Sequence, residues 1–161
     1  MNLLNFDKVQ KEFLQDALKR SHNSRSACCW IYSRDDSKKE IILSDGYSCF
    51  FIPQEMCFVT AMPDTGIRIV EPEQFERMLK NMPDDLERLT DTQTIKTTAA
   101  TGKIKIHVLT KSDGQEIWIN QKYYDRFSGM DSIQFYGAGA KNPIKVFVYD
   151  RLVGILLPIA H

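Results

Sequence analysis

Histidine and cysteine are the residues in this sequence best suited to nucleophilic or metal chemistry, but their positions do not combine into a site. A zinc site needs paired ligands at short spacing, such as C-x-x-C or H-x-x-x-H, and neither spacing occurs here. Cys28 and Cys29 are adjacent, so in a strand they point to opposite faces. We therefore expect no metal ion. We interpret the cysteines, Cys28, Cys29, Cys49 and Cys57, as small buried or half-buried apolar residues.

The three histidines are far apart in the sequence, and none has a nucleophile or a metal ligand at a meaningful spacing. His22 lies in a polar segment, His107 is predicted on the polar face of a strand, and His161 is the last residue. Nucleophilic catalysis requires a nucleophile and a base within hydrogen-bond reach of each other. The sequence therefore predicts no enzyme activity and no cofactor.

Two other short motifs have ordinary structural explanations. The segment GAGAK (137–141) superficially resembles a phosphate-binding loop, but no Ser or Thr follows its lysine and no helix begins after it. We interpret it as a connection between two strands. The carboxylate pairs Asp35/Asp36 and Asp84/Asp85 lie in predicted turns, where acidic residues are common.

The composition is that of an average globular protein without a strong overall charge. The 161 residues are 43% apolar and 26% charged, and 21 Lys and Arg balance 21 Asp and Glu. A neutral chain has no overall field to attract nucleic acid or anionic lipid. No signal peptide and no apolar run of about eighteen residues is evident. We expect a soluble, cytoplasmic protein that does not associate with a membrane.

The first third of the sequence predicts a helix and a three-stranded meander. Apolar residues recur every three to four positions from Phe6, behind a potential N-cap at Asn5, and predict a helix that ends near Arg20. Asp45-Gly46 is a typical two-residue hairpin turn. The predicted strands are Ala27–Arg34, Glu40–Ser44 and Tyr47–Ile52.

The rest of the sequence predicts further strands and two short helices. Pro72 opens one helix and Pro83 ends it, and the other helix is Gln121–Phe127. Residues 91–101 are typical of a polar edge strand or a mobile loop. The predicted strands are Gly66–Val70, Lys103–Thr110, Gln115–Asn120 and Ser132–Tyr136, followed by a hairpin around Asp150-Arg151. We therefore predict an α+β fold: a mostly antiparallel sheet of meanders with about three helices on one side.

Two segments align without gaps at an offset of 49 residues. They are RIVEPEQFERML (68–79) and IWINQKYYDRFS (117–128), and each predicts a strand followed by a short helix. Phe75 aligns with Tyr124, and Arg77 with Arg126. We interpret the match as a degenerate strand–helix repeat. The resulting prediction is one compact domain, 1–161, with pseudo-repeat units 1–55, 66–110 and 115–161.

A row of cations on the first helix is the electrostatic feature best placed to face DNA. Lys8, Lys11 and Lys19 fall on one side of this helix with Arg20 beside them, and acidic residues interrupt the row. The row is either a solvated helix face or a phosphate-facing one. A few phosphate contacts in a neutral protein would bind duplex DNA only weakly and with a strong dependence on salt.

Taken together, these elements resemble a domain of the bacterial replicative DNA sliding clamp. The resemblance lies in SDGYSCFFIP (44–53), IRIVEPEQFERMLKNMPDD (67–85), EIWINQKYYDRF (116–127) and NPIKVFVYDRLVGILLPIAH (142–161). Clamp domains repeat a βαβββ unit, and clamp chains end on a strand followed by Met-Pro, where this chain has Leu157-Pro158. This chain departs from the family because it has room for about one clamp domain and a half unit, is neutral, and has Ala160 where clamps carry a basic residue.

The resemblance implies a function for the apolar C-terminal tail, because in clamps the tail forms part of a groove that captures short peptides. It implies a non-enzymatic, clamp-like binding module that acts through protein–protein contacts, as an accessory protein of DNA replication or of a mobile element. Its partner would be a protein, a peptide or a second copy of the chain. We expect Leu156, Pro158 and Ile159 to border the groove, and Ile155 and Leu157 to lie in the core. The alternatives are a regulatory or interaction domain with no DNA role, and a tail that is only a core strand.

Overall fold

The computed structural model describes residues 6–20, 30–34, 39–62, 66–97, 102, 104–127 and 130–160. These residues belong to two compact units: an N-terminal unit, Asn5–Asn81, and a C-terminal unit that contains Met82–His161. The fold is α+β, with three α-helices and mostly antiparallel strands, which confirms the predicted fold class. None of the described helices is long and apolar enough to cross a bilayer. The single domain and its pseudo-repeat units stay predictions.

The N-terminal unit contains two helices and four strands. They are α1 (Phe6–Arg20), β1 (Trp30–Arg34), β2 (Glu40–Ser44), β3 (Ser48–Pro53), β4 (Arg68–Ile69) and α2 (Pro72–Lys80). The strand order is β4-β1-β2-β3, with β1 and β4 parallel and the other neighbours antiparallel. α1 buries Val9, Phe13 and Ala17, as its periodicity predicts, and α2 begins at Pro72. The Phe75 ring of α2 stacks on the Tyr32 ring of β1 at 5.0 Å between centroids.

The hairpin between β2 and β3 turns one residue later than predicted. The Asp45 N–H donates to the Ser48 carbonyl at 3.1 Å, so the two turn residues are Gly46 and Tyr47. Gly46 has a φ of 89°, a left-handed conformation that glycine adopts without a Cβ clash. The buried Asp45 carboxylate accepts the N–H groups of Tyr47 and Ser48 at 2.9 and 2.7 Å. These two bonds fix the turn in its shifted position.

The described residues of the C-terminal unit form seven strands and one helix. They are β5 (Glu87–Arg88), β6 (Thr90–Thr97), β7 (Lys105–Thr110), β8 (Glu116–Asn120), α3 (Gln121–Phe127), β9 (Ile133–Gly137), β10 (Ile144–Val148) and β11 (Arg151–Leu156). One antiparallel set has the order β11-β10-β9-β5, and a three-stranded sheet has the order β6-β7-β8. β6 therefore confirms the polar edge strand predicted near residues 91–101.

Both segments of the predicted repeat form a strand followed by a helix, β4–α2 and β8–α3. The aligned aromatic residues also occupy similar settings. Phe75 stacks on Tyr32 of β1, and Tyr124 stacks on His107 of β7. An aromatic residue in the first turns of each helix thus packs its ring against a ring from a strand of the same unit.

Several residues considered in the sequence can now be placed. Burial raises the pKa of Cys49 to about 12, so this thiol stays protonated at neutral pH. Cys57 is half-buried. Cys28, Cys29, His22, His161 and the pair Asp35/Asp36 lie outside the described residues.

Candidate functional site

In the C-terminal tail, buried and exposed side chains do not alternate as the sequence predicts. Leu156 is fully buried and Leu157 is exposed, so the assignments of Leu156 to a surface depression and of Leu157 to the core are wrong. β11 is covered on both faces near its end, and the regular pairing stops at Leu156. Beyond it, the Ile159 N–H donates to the Trp118 carbonyl of β8 at 2.7 Å. Pro158 and Ile159 are half-buried, and partner binding by them stays a prediction.

The cations proposed to face DNA lie on the exposed side of α1. Lys8, Lys11 and Lys19 are exposed. The side chain of Arg20 lies outside the described part of the structure. This position is compatible with either interpretation of the row, and DNA contact stays a prediction.

His107 is buried in the C-terminal unit, although the sequence places it with Lys105 on the polar face of its strand. Its Nε2 lies 2.6 Å from Asp91 Oδ1 of β6, and its Nδ1 lies 2.9 Å from Gln121 Oε1 of α3. The ring stacks on Tyr124 of α3 at 3.5 Å between centroids. The burial results from partners on two other elements, which a strand pattern alone does not reveal.

Side chains from β6 and α3 face the two ring nitrogens of His107. Gln121 donates its own amide N–H to Asp125 Oδ1 at 2.7 Å, so the Gln121 oxygen faces the histidine and accepts from Nδ1. On the other side of the ring, Asp91 Oδ1 faces Nε2. Both ring nitrogens therefore have an oxygen atom as hydrogen-bond partner.

Asp91 and Tyr124 complete this polar cluster. The Tyr124 hydroxyl donates to Asp91 Oδ2 at 2.6 Å. Burial would raise the pKa of Asp91, but hydrogen bonds from Tyr124, His107 and the Gln93 N–H outweigh burial and lower that pKa. Burial, followed by the bond to Asp91, raises the pKa of Tyr124. The phenol therefore stays protonated at neutral pH.

A bulge in β6 directs Asp91 into the cluster. The β6–β7 register shifts between Asp91 and Thr94, and Gln93 has a φ of 57°. The Gln93 N–H donates to Asp91 Oδ1 at 2.9 Å, and Thr92 Oγ1 donates to the Val108 carbonyl at 2.7 Å. Bulges commonly redirect a side chain in this way.

Next to the cluster lies a polar cleft of about 840 Å³ in the C-terminal unit. Its lining residues are Arg88, Leu89, Thr90, Asp91, Gln93, Tyr124, Ile133, Gln134 and Phe135. Two lining residues of the cleft, Asp91 and Tyr124, also belong to the polar cluster. They are hydrogen-bonded to each other, and both contact His107. This arrangement fixes β6 to β7 and α3. Within the described residues, no three His, Cys, Asp or Glu side chains lie close enough together to hold a metal ion.

One face of the β9–β10 pair carries large side chains that are only half-buried. Gln134, Tyr136, Lys145 and Phe147 lie on this face, while the alternate residues of both strands, such as Phe135 and Val146, are mostly buried. The rings of Tyr136 and Phe147 meet edge to face with centroids 5.3 Å apart. Aromatic residues with one covered and one open side are typical of protein-binding surfaces.

These aromatic residues form the wall of a second, smaller depression of about 230 Å³, which we call the aromatic pocket. The pocket is lined by Leu86, Gln134, Tyr136, Lys145, Phe147, Tyr149 and Asp150. Tyr149 lies in the β10–β11 turn, is 50% exposed and has a φ of 52°. A bulky residue in the left-handed region is strained, because its Cβ approaches the following carbonyl. Glycine would adopt this conformation without that strain.

Sequence reasoning missed both the polar cluster and the aromatic pocket. One signal for the pocket is present in Ile144–Val148, where Lys145 and Phe147 alternate with aliphatic residues. This alternation indicates that Phe147 lies on the opposite face of the strand from Val146. The position of Tyr149 in a tight turn also indicated an exposed aromatic ring. We had assigned the binding surface to the apolar tail instead. No signal in the single sequence joined Asp91 to His107, which are 16 residues apart.

Comparisons of the chain with protein-family models, with curated proteins and with solved structures give no significant match.

Proposed function

We propose that the chain is a non-enzymatic protein-binding module of clamp-like organisation, whose aromatic pocket takes an apolar side chain of a partner protein. The observation that carries the proposal is the strained, half-exposed Tyr149 at the pocket. The left-handed backbone conformation of Tyr149 costs about 1 kcal/mol, a cost that glycine at the same position would avoid. A strained residue with an exposed ring is explained if the ring contacts a partner.

The dimensions of the aromatic pocket support one apolar anchor. A cavity of about 150 Å³ accommodates benzene, and this pocket measures about 230 Å³. Tyr136 and Phe147 already contact each other, so the wall is formed before a partner arrives. Binding to a preformed wall avoids the entropy of ordering it.

Element order supports the clamp-like part of the proposal. The sequence β8–α3–β9–β10–β11 is a strand, a helix and three strands, the order of the βαβββ clamp unit. By this analogy, the partner belongs to DNA replication or to a mobile element. The aromatic pocket does not require DNA, and the neutral charge favours the alternative of an interaction domain without a DNA role.

The experiment is a selection of random nonapeptides displayed on phage against the immobilised full chain. Soluble Tyr149→Gly chain is present in excess as a competitor, so peptides that bind elsewhere are removed. The matched control competitor is Tyr47→Gly, because Tyr47 is 53% exposed and also lies in a hairpin turn. The two competitors differ in whether the aromatic pocket is intact.

We expect the enriched peptides to share one aromatic or long aliphatic residue. Their affinity should fall about tenfold or more for the Tyr149→Gly chain and stay unchanged for the Tyr47→Gly chain. Peptides that bind all three chains equally, or a selection that yields no peptide dependent on Tyr149, would contradict the proposal.

A further inference from the structure

A second apolar feature lies in the N-terminal unit, in the segment that follows β3. Met56 and Phe58 are 51% and 48% exposed, although both are large apolar residues. Cys57, between them, has extended backbone angles of −86° and 122°. Side chains two residues apart in extended chain point to the same side. Met56 and Phe58 therefore form one exposed pair, which we call the apolar knob.

The backbone of the knob is held by a buried glutamine. Gln10 of α1 is completely buried, and its amide donates to the Met56 carbonyl at 3.0 Å. Its amide oxygen accepts the Phe58 N–H at 2.8 Å. A third bond joins the amide to the Phe6 carbonyl at 3.1 Å. Because a buried amide must be satisfied, these bonds keep the knob in one conformation.

We propose that the apolar knob of one copy of the chain inserts into the aromatic pocket of a second copy. This inference rests on the proposed function of the pocket and names its partner. Phenylalanine supplies a ring for a pocket that is large enough to hold one, and methionine sulfur packs favourably against aromatic walls. The chain has zero formal net charge, so copies do not repel one another through an overall field.

Charges beside the two surfaces are complementary. Glu55 precedes the knob and is exposed, and Lys145 lines the aromatic pocket. Neither residue forms an ion pair with another described residue. Asp150, the acidic residue of the pocket, lies in the turn beside Arg151. The Glu55 carboxylate of one copy pairs with the Lys145 ammonium of the next when the knob is inserted.

The contact joins two different surfaces of the chain. Copies can therefore associate as a closed pair, in which both contacts form, or as a longer chain of copies. The expected behaviour is a mass that rises above the monomer value of 18.6 kDa as the chain is concentrated. Sedimentation from about 10 µM to about 1 mM covers the range expected for a weak contact.

Two single variants separate the two surfaces. Phe58→Ser removes the knob and keeps the pocket, whereas Tyr149→Gly removes one ring that lines the pocket and keeps the knob. Each variant alone should sediment as a monomer, and a mixture of the two should form a 1:1 dimer and nothing larger. A wild-type chain that stays monomeric, or single variants that still assemble like the wild type, would overturn the inference.

A charge reversal provides a second test that leaves both apolar surfaces intact. Glu55→Lys and Lys145→Glu should each weaken self-association about threefold or more, and the double variant should restore it. Additive weakening in the double variant would show that the two charges do not meet. Phage peptides that require Tyr149, in a chain that never self-associates, would refute this inference and leave the proposed function intact.

Discussion

Tyr136 of β9 and Phe147 of β10 meet with their ring planes at 80° and their centroids 5.3 Å apart. The register pairs Tyr136 with Lys145 and Gln134 with Phe147, so the two rings contact each other diagonally across neighbouring strands. Edge-to-face pairs contribute about 0.5–1.5 kcal/mol beyond the area that they bury. This contact explains how an aromatic wall can remain half-exposed and still have a defined shape.

Backbone strain at Tyr149 can be measured separately from the loss of its ring. Tyr149→Ala and Tyr149→Gly both remove the ring, but only glycine relieves the left-handed conformation. We expect the glycine variant to be more stable than the alanine variant by about 1 kcal/mol. Urea unfolding of both variants measures the difference. Equal unfolding free energies would mean that the turn is not strained.

Leu156 and Leu157 provide a matched pair for the tail, because they are adjacent and chemically identical. Leu156→Ala should lower the free energy of unfolding by about 2–5 kcal/mol, since its side chain is fully buried. Leu157→Ala should change it by no more than about 0.5 kcal/mol, because that side chain is exposed. Thermal or urea unfolding decides the order. A larger loss for Leu157 would contradict the burial described here.

Acid stability should depend on Asp91. Its pKa is lower in the folded protein than in the unfolded chain, so its contribution to stability is complete above the unfolded pKa of about 4. That contribution is lost as the pH falls toward the folded pKa. Asp91→Asn should therefore reduce the slope of unfolding free energy against pH below about pH 4. Urea titrations at several pH values measure the slope, and an unchanged slope would show that Asp91 is not coupled to folding.

Duplex DNA binding by the cations of α1 is expected to be negligible at physiological salt. If Lys8, Lys11, Lys19 and Arg20 all contacted phosphates, four contacts would give a log–log salt slope of about −3.6. Fluorescence anisotropy with a labelled duplex at several salt concentrations measures the slope. Tight binding that is insensitive to salt would contradict the prediction.

The secondary structure could be predicted because its signals are local. α1 has a clear apolar period from Phe6, and Pro72 begins α2 as expected from its fixed φ. The turn at Asp45 was displaced by one residue because the carboxylate binds two backbone N–H groups. Sequence signals locate such a turn but do not distinguish the neighbouring registers.

The candidate site could not be predicted because it depends on contacts between distant segments. The sequence places His107 on the polar face of its strand together with Lys105, and its hydrogen bonds with Asp91 and Gln121 allow it to be buried there. The buried and exposed residues at the end of the tail are predicted wrongly, because both faces of β11 are apolar and covered. Such a strand lacks the alternation of apolar and polar residues that would show which face points to the core. The aromatic pocket similarly needs Leu86, Tyr136 and Phe147 from three separate segments.

Peptide binding at the aromatic pocket is measured most directly by an aromatic ¹³C–¹H NMR titration of the full chain, with a peptide selected in the presence of the Tyr149→Gly competitor. The Phe58→Ser variant is used so that a second copy does not occupy the pocket. We expect the ring signals of Tyr136, Phe147 and Tyr149 to shift together with one binding curve, while the Tyr47 signals do not shift. Shifts centred on other aromatic residues, with these three unchanged, would contradict the assignment of the aromatic pocket as the protein-binding site.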